Sequence, residues 1–222
     1  MPKPDVTLTP AAIDQLPWER PEGAADGVVE RILTRDPETG SATRILRVDP
    51  YVDTGIFRHD HWEEVWMLSG SYKMGPEFHP TGTYTCKGPH VDHGPFITNE
   101  GYVGLEARDF LPDTMDKPRA TLLPIDIERL PASRLEGTEA TAQVLVEGPS
   151  GSLTRLVRIP AGVELSPRTL DAHEEWWVFE GDARAGDLEL TAGTFIARSP
   201  GWSTGVLTAT TDYLALEIRN HW

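Results

Sequence analysis

The run His59-Asp60-His61-Trp62-Glu63-Glu64, with His90-Val91-Asp92-His93 later in the chain, gathers imidazoles and carboxylates. Imidazole suits first-row transition metals, and carboxylate beside it favours iron, manganese, nickel or zinc over calcium. A lone histidine is ordinarily structural, whereas His-x-His with a later histidine on a neighbouring β segment is metal-ligand chemistry. His61, His59 and His93 rank first as ligands, then Glu63, with Glu64 and His90 as alternates. In an extended strand His59, His61 and Glu63 would share a face. Residues i and i+4 then lie about 13 Å apart, too far for two bonds of about 2 Å to one ion. The segment must bend, or Glu63 supports the ligands from behind. Three imidazoles and at most one carboxylate leave open positions on an octahedral metal, which catalysis needs and a structural zinc site lacks.

The elements that would carry these residues read as β. Val28–Thr34 and Ala42–Val48 alternate around the turn sequence Asp36-Pro37-Glu38-Thr39-Gly40, a hairpin signature. Val65–Leu68 and Ser71–Met74 flank Ser69-Gly70 as a second expected hairpin, and Tyr102–Phe110 reads as a further strand. Residues 1–26 are polar and proline-rich and read as an extended arm, with a short turn at residues 11–16. No long stretch has helical periodicity.

The second half repeats the first at a shift of 111 residues: Thr43-Arg44 falls on Thr154-Arg155, Glu63-Glu64 on Glu174-Glu175 and Trp66 on Trp177. Gly70, Gly75, Gly82 and Gly94 fall on Gly181, Gly186, Gly193 and Gly205, and Leu105-Glu106 on Leu216-Glu217. Such a repeat implies two copies of one all-β unit, assigned to residues 1–112 and 113–222 with a linker near 111–127. Evenly spaced short strands suit a barrel or jelly roll. Only the first copy carries the histidines: His59, His61, His90 and His93 fall on Leu170, Ala172, Gly201 and Thr204. One half is expected to bind metal while the other is structural or shapes a cavity. Arg108 and Glu106 recur as Arg219 and Glu217, which marks them as structural partners.

Bulk properties exclude several classes. A net charge of −15 over 222 residues argues against nucleic acid or an anionic membrane as partner. A single cysteine, Cys86, excludes an intrachain disulfide and fits a reducing compartment. With no apolar leader and no run of membrane-spanning length, the expected location is the cytoplasm.

At these residues the sequence resembles the cupin superfamily, whose motifs have the forms Gly…His-x-His…Glu…Gly and Gly…Pro-x-Gly-x-x-His. Here they read Gly55…His59-Asp-His61-Trp-Glu63…Gly70 and Gly82…Pro89-His-Val-Asp-His93, with His61 and Glu63 closer together than in the family pattern. The repeat makes the chain resemble a bicupin, closest in flavour to the cupin group of ChrR-type anti-sigma factors. That resemblance implies two tandem double-stranded β-helix units and one divalent transition metal in the first, with Fe(II) favoured and Zn, Ni or Mn as alternatives. It implies a non-haem dioxygenase acting on a small oxygenated organic molecule of diketone, hydroxyketone or aromatic diol type. The alternatives are a non-oxidative lyase, isomerase or cyclase, or a sensor without turnover. The family also allows a homodimer. Tyr84 and Tyr72 border the site as candidate proton donors, and Arg58 is a candidate holder of an anionic substrate.

Overall fold

Val28–Arg35 and Ala42–Val48 pair antiparallel, as their alternation requires. They turn where Asp36 accepts hydrogen bonds from the Glu38 amide at 2.8 Å and the Thr39 hydroxyl at 2.7 Å. This hairpin opens the first of two compact units in the computed structural model, which describes residues 3–110, 121–135, 137–148 and 151–220. Among the described residues the first unit takes 16–110 and 121–127, and the second takes 3–15 and 128–220. No helix is long and apolar enough to cross a membrane.

In the first unit the strand order is Val28–Arg35, Ala42–Val48, Tyr102–Asp109, Trp62–Met74, Tyr84–Lys87 and Thr121–Ile125. The far half of Trp62–Met74 also pairs with Glu77–Pro80 and Phe96–Ile97. Their inner faces enclose Val48, Val65, Met67, Tyr72, Phe96 and Tyr102. The second unit places Val6–Leu8, Phe195–Arg198, His173–Glu180, Tyr213–Asn220, Leu153–Ile159, Thr141–Glu147 and Ala132–Arg134 in one sheet. Its second sheet holds Glu164–Leu165, Leu207–Ala209, Asp182–Ala185 and Leu188–Thr191, around a core that includes Val157, Val178, Leu190 and Tyr213. Among the described residues the first unit curls one eight-stranded antiparallel sheet into a barrel, and the second builds its barrel from a seven-stranded and a four-stranded sheet.

The repeat survives in the hydrogen-bond register. Ala42 pairs with Arg108 and Val48 with Tyr102, while Leu153 pairs with Arg219 and Ile159 with Tyr213. Glu63 opposite Lys87 becomes Glu174 opposite Arg198 in the same way. Gly70 and Gly181 show why glycine recurs: both have positive φ, and a Cβ would lie 2.2 Å from the Gly101 carbonyl oxygen in one unit and 1.9 Å from that of Asp212 in the other.

Four expectations change. Ser69-Gly70 is no hairpin turn, because Trp62–Met74 runs through it as one strand with a register shift between Met67 and Ser69. The shift makes Leu68 the extra residue of a bulge, and the chain reverses instead at Gly75-Pro76, where Met74 pairs with Glu77. The stretch expected as a linker at 111–127 lies partly outside the described residues, and its later part, Thr121–Ile125, pairs with Tyr84–Lys87. The N-terminal arm is not merely extended: Val6–Leu8 adds an edge strand to Phe195–Arg198, and Thr9 caps a short helix at Pro10–Asp14. Arg108 does lie 3.5 Å from Glu106, but the partner that repeats is Arg44: its Nε donates to Glu106 at 2.8 Å, as Arg155 Nε does to Glu217 at 2.7 Å.

Candidate metal centre

Regular pairing begins at Trp62, so His59, Asp60 and His61 lie in a bend before the strand. The bend brings His59 Nε2 to 3.6 Å from Glu63 Oε2, a separation that an extended strand forbids. The His59 and His61 rings stack with centroids 4.0 Å apart. One donor atom each from His59, His61 and Glu63 lies within 4.8 Å of the others. His93 is carried on a second loop clamped to the first: Phe57 N–H donates to the His93 carbonyl at 2.8 Å, and His93 N–H returns to Phe57 at 3.1 Å. Its ring stands edge-on to His59 with centroids 4.7 Å apart, adjoining the three-residue cluster without entering its 4.8 Å circle.

Backbone carbonyls orient two of the imidazoles. His59 Nδ1–H donates to the His61 carbonyl and His93 Nδ1–H to the Val91 carbonyl, each at 2.8 Å, so Nε2 is the nitrogen left with a lone pair. His59 Nε2 is buried with no hydrogen-bond partner. Burial, helped by His61 and His93 against the opposing pull of Glu63, pushes the His59 pKa down to about 4. Burial, with Arg108, also lowers His61. Both rings are therefore neutral near pH 7, the form that ligates. Burial alone would raise Glu63, but Lys87 above all, then His59 and His93, hold it well below the usual carboxylate range. Two neutral imidazoles, an orphaned Nε2 and an ionised carboxylate, with a third imidazole adjacent, fit a divalent transition metal.

Lys87 is the participant that motif reading passed over. It is 1% exposed, and its Nζ donates to Glu63 Oε1 at 2.7 Å and to Thr85 Oγ1 at 3.3 Å. Its inward position follows from register, since Glu63 and Lys87 face each other across the pair. A signal existed, because the second copy carries another cation, Arg198, at the matching place.

The same register turns the neighbouring residues away. Glu64 and Tyr84 lie on the opposite face, where the Tyr84 hydroxyl donates to Glu64 Oε2 at 2.6 Å. Geometry thus separates both the alternate ligand Glu64 and the candidate proton donor Tyr84 from the imidazoles. Tyr84→Phe is expected to leave metal binding unchanged and to cost about 1–3 kcal/mol, because a buried carboxylate loses a donor; metal content together with chemical denaturation checks both halves. His90 is exposed, with φ at 63°, and its N–H donates to the His59 carbonyl at 2.7 Å, so it braces the His59 loop through backbone. Arg58 stands at the rim, 3.6 Å from Asp92 with both side chains mostly exposed. Cys86 is buried.

Tyr72 faces inward and stacks on His79, centroids 4.5 Å apart. His79 is fully buried with neither ring nitrogen partnered, and burial, then Lys87, pushes its pKa down to about 4. Its folded pKa lies below the ordinary histidine value of 6.5, so the unfolded chain binds the extra proton between those values. Its neutral form therefore leaves stability unaffected above pH 6.5 and lowers it as pH falls toward 4. His79→Leu, which installs the residue found at the matching position 190, should reduce the loss of Tm between about pH 7 and pH 5 in chelator-treated protein. Equal losses in both proteins would remove His79 from the account.

The cluster opens on a cavity of about 270 Å³. His59, His61 and Glu63 form one wall, Leu46, Val48, Phe57 and Phe96 supply apolar surface, and Arg58 and Arg108 are the nearby cations. Arg44 and Glu106 also line it: Arg44 bridges buried Glu30 and Glu106, and Arg108 lies 3.4 and 3.5 Å from the same two carboxylates, so two guanidiniums balance two glutamates.

Residues 8–106 match the family model of the ChrR Cupin-like domain. No curated protein matches the chain by sequence. Among solved structures, a Nostoc punctiforme protein provisionally described as a dioxygenase superposes with TM-score 0.83 at 15% identity, over 100% of this chain and 84% of its own. The salicylate 1,2-dioxygenase of Pseudaminobacter salicylatoxidans gives TM-score 0.66 at 14% identity, over 98% and 84%. An oxalate decarboxylase of Lactobacillus farciminis gives 0.63 at 10% identity, over 97% and 86%. At such identities the likeness speaks for the fold. With its motifs and the family match, the segment 8–106 belongs with the ChrR Cupin-like domains, and the second unit repeats its strand register.

Proposed function

We propose that the first barrel is the active site of a mononuclear metal-dependent enzyme, a non-haem Fe(II) dioxygenase acting on a small oxygenated organic molecule. The observation that carries this reading is the buried, unpartnered Nε2 of His59, set beside His61 and Glu63 on the wall of a cavity. His59, His61 and Glu63 would hold the metal, with His93 as the adjoining fourth donor. Ferrous iron there would supply the site at which a substrate chelating through two oxygens reacts with O₂, both oxygen atoms entering the product. The chain's own residues do the rest. Backbone carbonyls hold the imidazole lone pairs inward. Lys87 keeps Glu63 ionised. Phe57 and Phe96 give a flat organic molecule an apolar surface and exclude water. Arg58 at the rim would attract an anionic substrate.

The name of the salicylate-cleaving neighbour supports an aromatic or enolic substrate. The decarboxylase neighbour supports a second reading, non-oxidative chemistry on zinc, nickel or manganese at the same ligands. Metal analysis of protein purified without chelator, followed by O₂ uptake after anaerobic Fe(II) loading, separates the two. The panel comprises β-diketones, hydroxyketones, catechols and salicylate. Substrate-dependent O₂ consumption establishes the dioxygenase. Tight zinc or nickel with product but no O₂ consumption establishes the second reading, and absence of bound metal rejects both.

A further inference from the structure

The second unit keeps a cavity where the first has its metal centre. Leu170 and Thr204, the counterparts of His59 and His93, line it, and Glu174 stands in the place of Glu63. Here a guanidinium takes the role of the missing cation: Arg168 Nη2 lies 2.5 and 2.6 Å from the two Glu174 oxygens and 3.3 Å from Glu217 Oε1. About 90 Å³ remains open, walled mainly by Leu190, Ile196, Leu207, Trp176 and Trp202.

Arg198 also lines this cavity, at the position that Lys87 holds in the first unit. It is 9% exposed. Its Nη1 donates to the carbonyls of Val6 and Ala197 at 2.7 and 2.8 Å, its Nη2 donates to Thr7 Oγ1 at 2.6 Å, and it lies 4.6 Å from the Trp202 ring centroid. Those bonds leave Nε–H and one Nη2–H unused. Among the described residues no carboxylate forms an ion pair with it, because Glu174, directly opposite in register, is taken by Arg168. Burial pushes its pKa down, and the charge of Asp5, which accepts from the neighbouring Ser199 amide at 2.7 Å, opposes this. A buried guanidinium held by neutral acceptors alone, beside apolar space, lacks an anion.

We propose that the second-unit cavity binds a small carboxylic acid anion with a short branched alkyl body and no metal. The carboxylate meets the free donors of Arg198, and the alkyl group fills the space against Leu190, Ile196 and Leu207. Size selects the body: an apolar cavity of roughly 150 Å³ takes benzene, so about 90 Å³ suits an acid of about four or five carbons. This site is independent of the chemistry assigned to the first barrel.

The test is isothermal titration of isovalerate into the full-length, chelator-treated protein, with isovaleramide as the uncharged comparison. One saturable site with Kd on the order of 1 mM is expected, with the amide binding at least about tenfold more weakly. His61→Ala should leave the affinity unchanged. Arg198→Gln should weaken it about tenfold or more, while Arg198→Lys retains most of it. Leu207→Trp, which fills the cavity from a partly exposed strand, should abolish it with Tm preserved. No saturable heat, or equal affinity for the amide, would overturn the proposal. So would unchanged affinity in folded Arg198→Gln and Leu207→Trp, or loss of binding in His61→Ala.

Discussion

His61→Ala is expected to lower bound metal from about one ion per chain to below about a tenth, with an affinity loss of at least about a hundredfold. The effect is large because the centre has little redundancy. His61 is 8% exposed and stacked on His59, and its removal leaves one imidazole and one carboxylate with donor atoms in the close cluster. His90 is the control. It is exposed and touches the site through its backbone N–H alone, so His90→Ala should retain metal close to the unaltered level. Metal analysis after gel filtration reads both variants. Equal retention in the two would mean that the ion sits elsewhere.

Lys87→Met should destabilise the metal-free protein by about 3–5 kcal/mol, the usual consequence of stranding a buried charge. Glu63 would keep its desolvation while losing a 2.7 Å ion pair with an ammonium that is 1% exposed. Two further results distinguish this cause from simple loss of packing. Lys87→Met combined with Glu63→Gln should recover much of the loss, because no carboxylate is then left alone. Divalent metal should also recover stability in the single variant, since the ion replaces the missing positive charge beside Glu63. Chemical denaturation with and without chelator provides the measurement. A double variant no more stable than the single one would assign the loss to packing. The second barrel is a natural comparison: with the histidines gone, its glutamate takes a guanidinium, Arg168, as partner.

Charge placement therefore differs between two barrels that share a backbone. In the first, Glu63 is shared between Lys87 and the imidazoles, which leaves a carboxylate oxygen facing the ligand cluster. In the second, Arg168 closes on Glu174, and among the described residues the cation at position 198 forms no ion pair with a carboxylate. One scaffold thus offers a cation-binding wall in one copy and an anion-accepting wall in the other.

Much of this was legible in the residues alone. The shift of 111 residues revealed the two barrels, because glycines with positive φ and inward-facing side chains recur wherever the same backbone is built twice. Alternation and turn chemistry placed the strand at Ala42–Val48, and the His59–His61 spacing against Glu63 already required either a bend or a supporting place for Glu63, since donor distance is a local constraint. Other features belong to the tertiary structure. Whether Tyr84 or Lys87 faces the metal wall depends on a one-residue parity set by pairing with Trp62–Met74, and nothing in the four residues Tyr84–Lys87 encodes it. Gly70 has the same positive φ within a strand, paired with Tyr102, as it would have in a turn, so only the partner strands distinguish the two. The edge strands Val6–Leu8 and Thr121–Ile125 found their places through backbone hydrogen bonds to Phe195–Arg198 and Tyr84–Lys87. Backbone bonds of that kind join segments far apart in the chain and carry almost no mark in side-chain identity.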